Sequence, residues 1–270
     1  MKFALLVRMI AASLIFLLFF LWISPRFNNN ELPKNMLLNS KRVLIVFAHT
    51  DDEVTNSGFL SELARSGAQL TIVTLTDGRA NPESNLAVCK IKDIWKCRQA
   101  ELYKSAEIIG IKRVVTPEFP DSNLDMHEDA ASEVVKNLIF QERPDLLFTM
   151  EPSGLNGNRD HIAAHRIAMK ALKKSGLNSD LKVILSTLPF PLSLVLKSQM
   201  NTAYAQKYSF KLKKEVIQRK IKDVEVHASQ AVTMQKVTGG LGPKALFYWI
   251  NYESYFILEG EKLSQFLNDF

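Results

Sequence analysis

A short apolar run that ends in a charged cluster constrains this chain more than any other feature. Residues 43–47 are mostly β-branched and too few for a helix, so they predict a buried parallel strand. The sequence Ala48-His49-Thr50-Asp51-Asp52-Glu53 follows directly, and residues 54–66 then have helical spacing. The cluster therefore lies where a strand gives way to a helix, the sheet edge at which open α/β folds bind ligands.

Two side chains of this cluster suit a metal ion. His49 offers an imidazole nitrogen and Asp52 a carboxylate, and this donor set is typical of catalytic zinc. Asp51, between them, is then placed to act as the base that deprotonates a bound water. The alternative is that the acids only stabilise a helix N-terminus, where negative charge is favourable. These residues alone leave both interpretations open.

Composition limits the class of protein and of partner. The 270 residues are 47% apolar and 23% charged, as in an ordinary globular protein. The net charge of +6 fits attraction to anionic lipid or a phosphorylated substrate. We expect no nucleic-acid partner, because no basic stripe with interleaved aromatic residues occurs. The densest basic patch, between residues 207 and 222, predicts a solvated helix face, with a membrane-facing or anion-binding face as the alternative.

The two cysteines, Cys89 and Cys97, are predicted to be free thiols. If both lie on one helix, they are about 12 Å apart and cannot bond. Free thiols agree with a reducing compartment.

The N-terminal region predicts a membrane anchor. Arg8 is the only charged residue in the apolar segment 3–23, and the length of this segment is close to the length that spans a bilayer. The sequence after them lacks the small residues of a signal-peptide cleavage site, so we favour an uncleaved single-pass anchor. Basic residues are more numerous after the segment than before it, which favours a cytoplasmic catalytic domain. Residues 24–40 then predict a linker, and residues 41–270 the catalytic domain.

Strands alternate with helices through the rest of the chain. This alternation predicts an α/β fold, a Rossmann-like doubly wound, mostly parallel sheet with helices on both faces. The aromatic-rich stretch 245–256 is expected to form a late strand or to cover the site. The predicted strands are 69–76, 112–116, 145–150 and 181–186, and the predicted helices are 91–109, 130–141 and 211–227.

A second polar stretch, residues 151–161, follows the strand predicted at 145–150. His161 near a helix start can complete a metal site with His49 and Asp52, since two strand ends meet at one crevice. His165, one turn further on, is a rival ligand, and spacing alone does not choose between them.

Five short motifs follow one another between residues 41 and 230. They are Ala48-His49-Thr50-Asp51-Asp52-Glu53, Arg98-Gln99-Ala100-Glu101-Leu102, Phe119-Pro120-Asp121, Asn158-Arg159-Asp160-His161 and His227-Ala228-Ser229-Gln230. The ordered set resembles the LmbE-like/PIG-L family of zinc-dependent N-acetylglucosaminyl de-N-acetylases. The first motif resembles the family's A-H-P-D-D-E signature.

The resemblance implies a role for each matched residue. It implies Zn²⁺, or Fe²⁺ in its place, and an N-acetylglucosamine-containing lipid or small glycoside as substrate. The membrane anchor suits a lipid-linked substrate such as N-acetylglucosaminyl-phosphatidylinositol. The implied metal ligands are His49, Asp52 and His161, the implied catalytic residues are Asp51 as base and Asn158 at the oxyanion, and the implied substrate-binding residues are Arg98, Asp121 and His227.

Two positions depart from the family pattern. Thr50 replaces a proline, which removes rigidity but no chemical group. Asn158 replaces a histidine, and its amide donates a hydrogen bond but does not shuttle a proton. Asn158 therefore motivates an alternative, a catalytically silent, membrane-anchored glycoconjugate-binding protein of the same fold. A metal-dependent phosphohydrolase is a weaker alternative, because no further carboxylate cluster follows the other strands to hold a second metal.

Overall fold

The computed structural model describes residues 30–80, 87–177, 181–189, 192–194, 200, 203–237, 240 and 242–270. The strands are β1 (Arg42–Phe47), β2 (Gln69–Thr74), β3 (Arg113–Val115), β4 (Leu146–Met150), β5 (Lys182–Thr187), β6 (Gln206–Lys211) and β7 (Tyr252–Leu258). The helices are α1 (Lys34–Asn39), α2 (Ser57–Arg65), α3 (Ile94–Ile109), α4 (Glu128–Glu142), α5 (Arg159–Ser175), α6 (Lys214–Val226), α7 (Ala231–Val237), α8 (Gly242–Trp249) and α9 (Gly260–Asp269). Short helical turns lie at Asp52–Asn56, Ile91–Asp93, Leu124–His127, Gly154–Gly157, Leu192–Leu194 and Ala228–Gln230.

The strands form one sheet in the order β3-β2-β1-β4-β5-β7-β6. β1 pairs in parallel with β2 and with β4, while β7 pairs antiparallel with both of its neighbours. The chain winds outwards from β1 to β3 on one side and from β4 to β5 on the other. The winding direction therefore reverses between β1 and β4, and a crevice opens at their carboxyl ends.

Helices cover both faces of this sheet. Along β1, Leu44 and Val46 pack in one apolar cluster with α4, α5 and α9. Ile45 and Phe47 alternate with them and pack in a second cluster with α1, α2 and α3. Because β1 is buried on both faces, its sequence is continuously apolar. The predicted α/β class, with a mostly parallel sheet between helical layers, is confirmed.

Part of the predicted linker 24–40 belongs to the folded domain. Leu32 and Met36 are buried, and the backbone N–H of Leu32 donates to the Ser209 carbonyl of β6 at 2.9 Å. These two apolar side chains anchor a segment whose average composition is that of a linker. The predicted anchor at residues 3–23 lies outside the described residues. Among the helices of the described residues, none combines the length and the apolar character needed to cross a bilayer.

The basic patch between residues 207 and 222 is not one solvated helix face, contrary to the sequence prediction. Lys207 and Lys211 lie on β6, and Lys220 on α6 is buried in an ion pair with Glu253 of β7. The patch spans a strand and a helix, so its spacing in sequence does not describe one surface.

The prediction of free thiols is also wrong. Cys89 and Cys97 form a disulfide, with their Cα atoms 5.9 Å apart. Cys97 lies in the first turn of α3, but Cys89 lies in a turn that precedes the helical turn Ile91–Asp93. The chain folds back between them, so the separation expected along one continuous helix does not apply.

Candidate metal centre and active site

Three candidate ligand atoms converge at the carboxyl ends of β1 and β4. The Nε2 atom of His161 lies 3.0 Å from Nδ1 of His49 and 3.0 Å from Oδ1 of Asp52. The Nδ1 atom of His49 lies 3.7 Å from the same Asp52 oxygen. Donors around a tetrahedral zinc lie about 3.3 Å from one another. The three residues therefore fit the ligand set of a zinc site that keeps one position open.

The turn after β1 holds two of these residues by short-range hydrogen bonds. The Oδ2 atom of Asp52 accepts from the backbone N–H groups of Ala48, at 3.1 Å, and His49, at 2.8 Å. Its other oxygen, Oδ1, is thereby directed towards the two histidine rings. The acid needed for the metal site is thus the residue that shapes the turn.

The start of α5 holds the third residue. Asn158 caps this helix, and its Oδ1 atom accepts from the backbone N–H groups of Asp160 and His161. The ring of His161 is fixed by a hydrogen bond of 3.0 Å between its Nδ1–H and the carbonyl oxygen of Gly154. This bond leaves the lone pair of Nε2 for a metal ion, as outer partners of histidine ligands do.

Two further carboxylates orient His49. Its Nε2 atom lies 3.4 Å from Asp160 and 3.5 Å from Asp121, so its N–H faces both and Nδ1 remains for a metal. Burial lowers the pKa of His49, but Asp52, Asp121 and Asp160 outweigh this effect and hold that pKa well above its usual value. Burial raises the pKa of Asp52, but the two histidines outweigh it and hold that pKa far below its usual value. This surplus of negative charge favours a bound cation.

Asp51 lies beside the candidate metal centre and faces an arginine. Its Oδ1 atom accepts from Nη2 of Arg98 at 3.0 Å, and Nη1 of Arg98 donates to the Gly78 carbonyl at 2.6 Å. The Arg98 side chain is 3% exposed and that of Asp51 15%. A buried guanidinium therefore fixes a carboxylate that still reaches the cavity.

These residues line a cavity of about 450 Å³, the size of a small-molecule site. Its polar end joins the candidate metal centre, and apolar side chains form another part of its wall. The polar lining includes His49, Asp51, Asp52, Arg98, Asp121, Asn158 and His161, and the apolar lining includes Met150, Leu155, Leu188 and Met234.

Comparisons with known proteins agree with this geometry. Residues 44–172 match the model of the PIG-L family, described as GlcNAc-PI de-N-acetylase. A 1D-myo-inositol 2-acetamido-2-deoxy-alpha-D-glucopyranoside deacetylase of Corynebacterium glutamicum is 29% identical over 224 residues, which cover 72% of this chain and 76% of that protein. A deacetylase of the same name from Streptomyces scabiei is 31% identical over 166 residues, 52% of this chain and 49% of that protein. These matches show that the chain is similar to the PIG-L family.

Solved structures of low sequence identity share the fold. The zinc-inhibited form of teicoplanin deacetylase Orf2 has a TM-score of 0.63 and 17% identity, covering 82% of this chain and 99% of its own. The N,N'-diacetylchitobiose deacetylase of Pyrococcus horikoshii has a TM-score of 0.62 and 18% identity, covering 88% and 91%. The resemblance to PIG-L de-N-acetylases that the sequence predicts is confirmed by the family match and the relatives.

Not all of the residues that the PIG-L-like motifs indicate lie at the cavity. Arg98, Asp121 and Asn158 line the cavity, but Arg98 also holds Asp51, and Asp121 also faces His49. His165 is not in the ligand cluster: its Nδ1–H donates to the Met150 carbonyl at 2.8 Å, and its ring packs against Phe266 and Phe270 of the C-terminal segment. Burial lowers the pKa of His165 to about 4, so it is a neutral interior residue.

His227 does not line the cavity, and we correct its expected contact with substrate. It is 1% exposed, and its Nε2 atom forms a hydrogen bond of 2.7 Å with Glu53. Burial lowers the pKa of His227, but Glu53 outweighs it and raises that pKa to about 9. Ser105 of α3 donates to the same Glu53 oxygen. The pair therefore ties the turn after β1 to α3 and to the end of α6 from behind the site.

The sequence analysis did not predict the role of Asp160 at the candidate metal centre. Its two oxygens accept from the backbone N–H groups of Ser122, at 2.6 Å, and Leu124, at 3.1 Å, while one of them faces His49. Asp160 therefore joins the loop after β3 to the metal centre. The sequence feature that points to such a role is an acidic residue immediately before a candidate histidine ligand.

Proposed function

We propose that the chain hydrolyses the acetamide of an N-acetylglucosamine moiety and releases acetate. The convergence of His49, Asp52 and His161 beside Asp51, in a cavity of sugar size, is the observation that carries this proposal. The names of the relatives support it, since the Corynebacterium enzyme is a deacetylase of an acetamido-glucopyranoside. The chitobiose deacetylase of similar fold gives weaker support, because its likeness concerns the fold.

The residues present fit a zinc ion, and His49, Asp52 and His161 would hold it. Such an ion supplies a Lewis acid and lowers the pKa of a bound water. We propose Zn²⁺ as the working metal, with Fe²⁺ as the alternative, because imidazole and carboxylate donors suit both.

Each polar residue of the cavity has a part in the proposed reaction. Asp51 takes a proton from the attacking water and returns it to the nitrogen as the C–N bond breaks, so acetate and an amine leave. Arg98 holds Asp51 in place for both transfers. The amide N–H of Asn158 is proposed to donate to the acetamide oxygen as negative charge develops there, since its own oxygen is occupied by the helix cap.

We further propose that the substrate is lipid-linked and that residues 3–23 attach the chain to a membrane. The apolar length of these residues and the phosphatidylinositol substrate in the family's name support this. The test is whether the full chain stays with membranes after a high-salt or carbonate wash. Release by either wash would contradict an anchor.

Two features of the chain give opposing indications of the compartment that contains the catalytic domain. The flanking charges favour a cytoplasmic domain, whereas the disulfide between Cys89 and Cys97 favours an oxidising compartment. We propose the oxidising side, because a disulfide persists there. Alkylation of intact cells followed by non-reducing mass spectrometry tests this. Recovery of the cross-linked peptide supports the oxidising side, and two alkylated thiols would contradict it.

The decisive experiment is acetate release by the purified full chain from N-acetylglucosaminyl-phosphatidylinositol and from water-soluble N-acetylglucosaminides. We expect a chelator to abolish release and added zinc to restore it. We expect Asp51→Asn to lower kcat by at least about a hundredfold with metal binding retained, because the general base is lost. The matched control is Asp129→Asn, since the Asp129 carboxylate on α4 is 84% exposed.

Two outcomes would contradict the proposal. Full activity of Asp51→Asn would refute the assignment of the base. Stoichiometric metal and sugar binding without acetate from any substrate would favour the alternative, a catalytically silent glycoconjugate-binding protein.

A further inference from the structure

Exposed apolar side chains lie on the segment that contains α7 and α8, residues 228–251, of which the structure describes 228–237, 240 and 242–251. This α7–α8 segment has two lysines, Lys236 and Lys244, and no aspartate or glutamate in 24 residues. Val232 is 42% exposed, Tyr248 44% and Trp249 39%. Exposed tyrosine and tryptophan side chains are of the kind that favours the interface between water and an apolar phase.

The described residues at the two ends of the α7–α8 segment are held by the rest of the fold. At its start, the backbone N–H and the hydroxyl of Ser229 donate to the two Glu101 oxygens of α3, at 2.9 and 2.6 Å. At its end, the backbone N–H of Leu212 donates to the Asn251 carbonyl at 2.8 Å. The Phe247 ring packs under the Lys220 ammonium, 5.0 Å from its centroid. The exposed side chains therefore belong to an anchored surface.

The same segment forms part of the substrate cavity. Thr233 and Met234 of α7 line it together with His49 and Asp51. α7 in turn packs against α8, which carries Tyr248 and Trp249. The exposed apolar side chains therefore lie on helices beside the cavity that contains the candidate metal centre.

We propose that the α7–α8 segment rests on the anionic surface of a phospholipid bilayer and turns the cavity towards a lipid-linked head group. Tryptophan and tyrosine side chains favour the interface between lipid and water. Lysines on a segment that has no acids of its own are attracted to anionic lipids. The acyl chains of a lipid-linked substrate stay in the bilayer, so its sugar enters the cavity when the opening faces the membrane. This inference rests on the proposed lipid-linked substrate.

The test compares two substrates with one double variant. The full chain is reconstituted in vesicles of phosphatidylcholine and phosphatidylglycerol, with N-acetylglucosaminyl-phosphatidylinositol in the bilayer or a soluble N-acetylglucosaminide in the buffer. We expect Tyr248→Ser/Trp249→Ser to lower kcat/KM for the embedded substrate by about tenfold or more. Activity on the soluble substrate should change by less than about twofold, because neither residue lines the cavity. Phe140→Ser is the control, since Phe140 on α4 is 49% exposed.

A second readout separates this inference from the proposed function. Brominated lipids should quench the tryptophan fluorescence of the wild type more than that of Trp249→Phe, and the difference reports on Trp249. This quenching should occur whether or not acetate is released. An inactive wild type with this quenching would refute the proposed function and support the bilayer contact. Absence of quenching, equal loss on both substrates, or no loss on the embedded substrate would overturn the inference. Concentration-dependent self-association that the double variant abolishes would also overturn it, in favour of a second copy of the chain.

Discussion

At the scale of single residues, one glycine positions the candidate metal centre without contributing a ligand. Gly154 has φ +64°, in the region that glycine alone adopts readily. Its carbonyl holds the His161 ring, and a Cβ atom at this position would lie 2.8 Å from the Cβ atom of His161. Real Cβ atoms do not approach so closely. The position therefore requires glycine both for its backbone angle and for the space it leaves.

We expect Gly154→Ala to displace His161 and to weaken zinc binding by at least about tenfold. Gly157→Ala is the matched control, because Gly157 has φ +79° and no described residue places an atom within 4 Å of the methyl group that alanine would add. Both variants should lose about 1–2 kcal/mol of stability from the left-handed backbone. Competition with a chromophoric chelator measures the zinc affinity, and urea unfolding measures the stability. Equal zinc affinities for the two variants would show that the contact with His161 has no role.

At the scale of helices and strands, local pattern predicts well where a buried parallel strand carries its own signal. β1, β2, β4 and β5 lie close to their predicted positions, because each contains a short, mostly apolar run. The sequence of β6 is polar and its partner is distant in sequence, so local pattern indicates a solvated helix face there instead of a strand. The aromatic-rich stretch 245–256 predicts a late strand or a cover: its second part, from Tyr252, forms the strand β7, whereas residues 245–249 form the end of α8.

In the candidate site, too, contacts between sequence neighbours could be predicted and contacts between distant residues could not. The motif after β1 places His49 and Asp52 by short-range hydrogen bonds, so its sequence carries the geometry. Asp160 serves the metal centre only because α5 packs beside the loop after β3, which no spacing in sequence displays. The disulfide escapes prediction for a related reason, since a turn that reverses the chain brings Cys89 to Cys97.

At the scale of the whole molecule, a buried ion pair between β7 and α6 also contacts the metal-binding turn and the start of α2, the helix that follows this turn. Glu253 on β7 accepts from the backbone N–H groups of Gly58 and Phe59 at the start of α2. Lys220 on α6 donates to Glu253 and to the Val54 carbonyl of the Asp52–Asn56 turn. Both side chains are 3% exposed. Elements distant in sequence therefore hold the turn that carries Asp52.

This connection predicts unequal costs for removing each partner of the pair. Glu253→Gln leaves the Lys220 ammonium buried with carbonyl acceptors alone, so we expect a loss of about 3–5 kcal/mol of unfolding free energy. Lys220→Met should cost less, because Glu253 keeps two backbone donors and the Tyr255 hydroxyl. The double variant should recover part of the larger loss, since no unpaired charge remains.

Urea unfolding at neutral pH measures the unfolding free energy of all three variants. The exposed pair Asp129 and Lys170 is the control and should contribute less than about 1 kcal/mol. Strictly additive single losses would show that the two charges are not coupled, and β7 would then hold the metal-binding turn through packing alone.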